Sequence, residues 1–301
     1  MVVGAGFAGL EVAKALGRAN IQVTLIDRHN HHLFQPLLYQ VATAALSAVD
    51  VAEPIRKIMR PYRSVQVVFG EVTQIDTTAQ IVALNCGQQF GYEYLVVASG
   101  AGHSYFGHDE WARWAPGLKS VDDARHIRSQ LLLTFERAEH STDPEEQRRV
   151  QSIAIIGGGP TGVELAGTIA ELSRYTLARD FRNISPESTQ ITLIEAGSRI
   201  LSGFSEDTSS YALRKLERLG VDVRTGQAVD GVGHSSISIA GEELATGMTI
   251  WAAGISASPL AQQLGETDRA GRIAVDSTLA VSGLQGVFAL GDIAALSGED
   301  G

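Results

Sequence analysis

An α/β fold of two similar units, with mostly parallel sheets in three layers, is predicted for this 301-residue sequence by three observations. A six-residue glycine pattern occurs twice, as Gly4-Ala5-Gly6-Phe7-Ala8-Gly9 and as Gly157-Gly158-Gly159-Pro160-Thr161-Gly162. Each copy follows an apolar stretch and opens a run of apolar residues spaced three or four apart, the period of a helix face. Each helical run leads to an apolar strand that ends in an acid, Asp27 in the first copy and Glu195 in the second.

In chain order, Met1, Val2 and Val3 form the first strand, and Leu10, Ala13 and Leu16 face one side of the helix after the glycines. Residues 23–27 form the strand ending at Asp27, residues 65–70 a third strand ending at Gly70, and residues 95–100 a fourth ending at Ala98-Ser99-Gly100. Residues 141–149 are polar and turn-prone and read as a solvated connection. The second unit repeats the landmarks: a strand at 153–156, a helix marked by Leu165, Ile169 and Leu172, a strand at 191–195, a strand closing at Gly226, and a strand closing at Ala252-Ala253-Gly254. Two copies in one order predict two Rossmann-like dinucleotide-binding domains. The first is expected to be discontinuous, covering 1–117 and 256–301, with the second at 118–255.

Composition narrows the function class. Hydrophobic residues make up 44% and charged residues 19%, a globular balance that excludes a disordered chain. The 32 glycines exceed the roughly 7% background, as frequent tight turns and close backbone approaches require. A net charge of −10 repels phosphate backbones and argues against a nucleic-acid partner. Cys86 is the single cysteine, so neither a redox pair nor a thiolate metal site is available, and it reads as inert. His29, His31 and His32 look like a metal cluster, but they lack partner acids and a regular frame; they read as a polar loop near an adenosine, and no metal is expected.

The glycine pattern itself is a phosphate device. Its first glycine (Gly4, Gly157) allows the turn, its second (Gly6, Gly159) admits a pyrophosphate, and its third (Gly9, Gly162) lets helix and strand pack closely. Free N–H groups at the helix start, around Phe7 and Ala8 or around Pro160 and Thr161, face the phosphates. Asp27 and Glu195 are placed to accept from ribose hydroxyls, and the Glu195 carboxylate repels a 2′-phosphate, favouring NADH over NADPH. Arg199, close in sequence, acts against that preference.

The segment Gly286-Val287-Phe288-Ala289-Leu290-Gly291-Asp292 resembles the FAD-contacting strand of flavoproteins with two dinucleotide domains. That resemblance implies FAD at the Gly4 motif, with Gly291 and Asp292 as ligands, and NADH at the Gly157 motif. Residues 33–42, which read Leu-Phe-Gln-Pro-Leu-Leu-Tyr-Gln-Val-Ala, together with Tyr105-Phe106-Gly107 and Trp251-Ala252-Ala253-Gly254-Ile255, resemble the type II NADH:quinone oxidoreductases. The resemblance implies FAD-dependent oxidation of NADH, two-electron reduction of a membrane quinone and no proton pumping. It adds Arg28, Gln40, Val72, Ala98, Ser99, Gly100, Ala253 and Gly254 to the cofactor-binding set, and places Glu164 as the catalytic residue at the nicotinamide–flavin contact. A glutamate so early in a helix is also simply favourable with the dipole. Peripheral attachment to the cytoplasmic face of a membrane, a homodimer, and truncation at both ends are expected on the same grounds. A reductase of a rubredoxin- or ferredoxin-type carrier and a non-enzymatic NADH-sensing flavoprotein stand as alternatives.

Overall fold

The structure, a computed structural model, describes residues 1–296; residues 297–301, assigned above to the first domain, lie outside them. The chain divides into two compact units. The first comprises Met1–Leu33, Ala52–His103 and the C-terminal stretch from Ile255, and the second comprises Phe34–Val51 and Ser104–Gly254.

The first unit is organised by a five-stranded parallel sheet in the order Val287–Ala289, Leu95–Val97, Val2–Val3, Val23–Asp27, Val65–Phe69. Its strands are short apolar runs because both faces are covered. Leu10 and Ala13 of the Phe7–Arg18 helix pack with Val2, Leu25 and Ile55 on one face, and Val3, Ile26 and Val97 join a second cluster on the other. A strand from the C-terminal stretch completes the sheet: Val287–Ala289 pairs with Leu95–Val97.

The second unit carries a four-stranded parallel sheet in the order Val221–Thr225, Gln190–Glu195, Ser152–Ile156, Met248–Trp251. The duplication reaches individual hydrogen bonds. Gly4 donates to the Ile26 carbonyl at 2.8 Å and Gly157 to the Ile194 carbonyl at 2.7 Å; Ala98 donates to Val3, and Ala252 to Ile156, each at 2.7 Å.

Between its third and fourth parallel strands each unit also inserts a three-stranded antiparallel meander, which the sequence reading left out. In the first it is Val72–Asp76, Ile81–Leu84 and Gln89–Gly91; in the second, Val229–Val232, Ser236–Ile239 and Glu242–Ala245. Both meanders shift register in their first strand, at Val72/Gln74 and at Val229/Gly231.

The contact boundaries differ from those read in the sequence. Residues 104–117, assigned to the first domain, pack in the second unit around Trp251: the Tyr105 ring stacks on it at 4.9 Å, Trp111 meets it edge-on at 5.8 Å, and its indole N–H donates to the Ser104 carbonyl at 2.9 Å. Phe34–Val51 joins the same unit because the Leu38–Ala42 helix buries Leu38, Val41 and Ala42 against the Val121–His140 helix.

One core group is out of place chemically. Tyr92 is buried in the first unit, its hydroxyl has no hydrogen-bond partner among the described residues, and burial, with Asp76 nearby, pushes its pKa up. Removing an unsatisfied buried hydroxyl without changing the ring relieves a desolvation cost of about 1 kcal/mol. Tyr92→Phe is therefore expected to raise the thermal midpoint by about 2 °C; a lower midpoint would show that the hydroxyl contributes to stability.

Candidate functional site

The glycines at the two motifs separate into two kinds. A Cβ on Gly4 would stand 2.3 Å from the Ala98 oxygen, and one on Gly157 would stand 2.6 Å from the Ala252 carbon. Both residues adopt left-handed φ values, +99° and +112°. On Gly9 and Gly162 a Cβ would collide with the oxygens of Gly4 and Gly157, at 1.8 and 1.9 Å. These four are required by the protein's own packing. Gly6 and Gly159 are not: their φ values of −68° and −72° suit any residue, and a Cβ there would meet nothing within 4 Å. Each instead leaves open space in front of a helix start, which is what a pyrophosphate needs.

The helices behind that space lack side-chain caps. The Val121–His140, Pro144–Val150 and Glu206–Arg218 helices are closed by Ser120, Asp143 and Ser205, whereas the Phe7–Arg18 and Pro160–Glu171 helices begin at Gly6 and Gly159 with no capping side chain. Uncapped N–H groups and the positive end of the helix dipole point where anionic oxygens would sit.

The strand-end acids hold the loops. Asp27 accepts from Ala5 N–H and from His29 N–H, both at 2.6 Å. Glu195 accepts from Gly158 N–H at 2.6 Å and Gly197 N–H at 2.7 Å. A carboxylate offers about four lone-pair sites, so each acid retains capacity for ribose hydroxyls. The carbonyl of the residue between the first two glycines is also held in each unit: His32 Nδ1 lies 3.0 Å from the Ala5 oxygen, and Leu201 N–H donates to the Gly158 oxygen at 2.7 Å. His32 and Leu201 were not read as site residues. The histidine run was read as a polar loop near an adenosine with no role for any single ring, and a main-chain donor leaves no mark in a sequence.

Among the other predicted residues, Ala98, Ser99, Gly291 and Ala253 gather at the same places, whereas Val72, Arg28 and Gln40 are not shown against either motif. Ala98 and Ser99 abut Gly4, and the Ser99 hydroxyl is buried without a hydrogen-bond partner among the described residues. Gly291 lies beside Ala8, with a Cβ there 3.3 Å from the Ala8 methyl, so the Gly291-Asp292 turn adjoins the first motif. Ala253 abuts Gly157. Val72 has its side chain in the core, Arg28 reaches 3.9 Å from Glu71, and Gln40 donates to the Tyr39 hydroxyl at 3.0 Å and belongs to the second unit. Glu164 is exposed on the Pro160–Glu171 helix, yet the protein packed around it lifts its carboxyl above the usual range by desolvation. Arg199 donates to the carbonyls of Leu201 at 3.3 Å, Ser202 at 2.7 Å and Phe204 at 2.9 Å, which ties its guanidinium to its own loop.

The family model for pyridine nucleotide-disulphide oxidoreductase matches residues 1–300. Two proteins of Mycobacterium tuberculosis, the type II NADH:quinone oxidoreductases Ndh and NdhA, are 41% and 42% identical over the whole of this chain, which covers 68% and 67% of their lengths. The chain belongs to the type II NADH:quinone oxidoreductases. A structure of Plasmodium falciparum NDH2 in complex with NADH superposes with a TM-score of 0.87 at 25% identity, over 98% of this chain and 64% of that one. FAD is the cofactor of this family and NADH its reductant. The residues fit both: open ground at Gly6 and Gly159, an acid at each second strand, and an orphaned hydroxyl at Ser99. The disulphide of the broader family name has no counterpart in these 301 residues, where Cys86 is exposed and single.

Proposed function

We propose that the protein oxidises NADH through FAD and delivers two electrons to a membrane quinone without pumping protons. The observation that carries the reading is the doubled site: two uncapped helix starts, each faced by an open glycine and a ribose-ready acid, in one chain of this family. FAD, when bound, supplies the two-electron chemistry that links a nicotinamide to a quinone. The chain's own residues do the rest. The Gly4–Gly9 loop and Asp27 anchor the FAD phosphates and ribose, joined by Ser99 and by Asp292, which follows the Gly291 that lies beside Ala8. The Gly157–Gly162 loop and Glu195 seat NADH, and Glu164, on the helix that starts at those phosphates, orients the nicotinamide end with a carboxyl whose proton affinity is raised.

We extend the proposal to peripheral membrane attachment on the cytoplasmic face and to a homodimer. A lipid-phase acceptor supports a membrane location, and no helix among the described residues is long and apolar enough to cross a membrane. The chain spans about two thirds of the mycobacterial relatives and 54% of an Arabidopsis thaliana external alternative NAD(P)H-ubiquinone oxidoreductase, so the full-length protein is the one to assay. Adding NADH under anaerobic conditions is expected to bleach oxidised flavin within the mixing time, and a short-chain quinone to restore it. Flavin that stays oxidised defeats the enzyme reading, and recolouring by ferredoxin or rubredoxin alone moves the acceptor to a carrier protein.

A further inference from the structure

The histidine run after Asp27 has a use other than metal binding. We propose that His32 is a positioning residue for the FAD phosphates: by holding the Ala5 carbonyl, it aims the N–H of Gly6 at the open ground in front of the first helix. This rests on the reading of the Gly4 motif as the FAD site.

The geometry fixes the hydrogen. A carbonyl oxygen only accepts, so at 3.0 Å from the Ala5 oxygen the ring donates from Nδ1, and in the neutral ring the lone pair lies on Nε2. The peptide joining Ala5 and Gly6 is trans, so its N–H points opposite to its C=O. Pulling the carbonyl toward His32 turns the Gly6 N–H the other way. Asp27 fixes the preceding peptide through Ala5 N–H at 2.6 Å, so the two peptide planes that lead into the helix are both set. The ring is itself steadied edge-on against Phe7, with centroids 5.1 Å apart and planes at 87°.

The second unit supplies the independent support. There the equivalent carbonyl, that of Gly158, receives the Leu201 N–H at 2.7 Å, and Leu201 sits at a φ of +51°, a conformation that costs a leucine energy. Arg199 braces that turn through the Leu201 carbonyl. Two copies that differ in sequence at this point meet the same carbonyl with different donors, a side chain in one and a strained main chain in the other. The need they share is a fixed N–H at the second glycine.

The test compares His32→Phe, which keeps a ring against Phe7 but has no donor, with His32→Asn, whose amide N–H sits where Nδ1 does. FAD affinity is read by flavin fluorescence on the deflavinated full-length protein, and stability by thermal midpoint without FAD. His32→Phe is expected to weaken FAD binding about tenfold, the effect of one phosphate hydrogen bond lost when the Gly6 N–H is no longer aimed, and His32→Asn to recover it. The FAD-free midpoint of His32→Phe is expected to fall by no more than about 2 °C, the cost of the one internal hydrogen bond it loses, that of His32→Asn to match the wild type, and NADH affinity to stay at the wild-type value. Unchanged FAD affinity in His32→Phe overturns the proposal, as does a FAD-free midpoint that falls in step with the affinity, or a nitrogen NMR spectrum placing the neutral-ring hydrogen on Nε2. Failure of the wild-type protein itself to bind FAD removes the site reading instead.

Discussion

Alanine at Gly159 is expected to leave the protein folded and nearly abolish NADH binding, while alanine at Gly162, three residues on, is expected to unfold the second unit. The two glycines lie in one motif and differ in what surrounds them. At Gly162 the added methyl would stand 1.9 Å from the Gly157 oxygen, so the helix would have to leave the strand it packs on. A clash of main chain with main chain has no flexible partner to absorb it, and a cost above about 4 kcal/mol consumes most of a domain's marginal stability. At Gly159 the methyl meets nothing, the φ and ψ of −72° and −178° suit alanine, and stability is expected to move by less than about 0.5 kcal/mol. What the methyl does occupy is the approach to the helix N–H groups, and a KM for NADH raised roughly 100-fold is the expected result. Gly6→Ala and Gly9→Ala should repeat the contrast for FAD in the first unit, where the corresponding Cβ of Gly9 would lie 1.8 Å from the Gly4 oxygen. Thermal midpoints and NADH titrations decide the matter. A Gly159→Ala protein that melts with Gly162→Ala, or that binds NADH normally, contradicts the division of the glycines.

The order of the glycines in the motif already implied three different roles; the distances that separate them, a Cβ 1.8 and 1.9 Å from an oxygen at Gly9 and Gly162 and nothing within 4 Å at Gly6 and Gly159, come only with the fold. What could be read was whatever depends on local order along the chain: the doubled glycine pattern, the acids at the strand ends and the spacing of Leu165, Ile169 and Leu172, because helix and strand periods are properties of near neighbours. The fourth strand was read three residues too long. It ends at Val97, since Ala98–Gly100 turn off beside Gly4 and Gly100 takes a φ of +68°. The meanders escaped because three-to-five-residue strands alternate too briefly to stand out from turns. The placement of residues 104–117 escaped for a different reason: the stack of Tyr105 on Trp251 joins residues nearly 150 positions apart, and no local pattern encodes it.

Glu195→Gln is expected to lower the ratio of kcat/KM for NADH over NADPH by roughly 10- to 100-fold, an effect of about 1.4–2.7 kcal/mol. The amide keeps the size of the side chain and one accepting oxygen for Gly158 N–H, but it removes the charge that a 2′-phosphate would face. The gain for NADPH stops short of a reversal, because reversal needs a cation to replace the acid, and Arg199, four residues on, is committed. Arg199 donates to three carbonyls of the Leu201–Phe204 turn and cannot swing toward a phosphate without releasing them. Its own replacement therefore separates charge from scaffolding. If Arg199 served the phosphate, Arg199→Leu would depress NADPH use alone; because it braces the turn whose Leu201 N–H holds Gly158, the substitution is expected to raise the KM for both nucleotides by a similar factor and leave their ratio in place. An unchanged ratio in Glu195→Gln, or a selective loss of NADPH in Arg199→Leu, would transfer the choice of nucleotide to some other part of the loop.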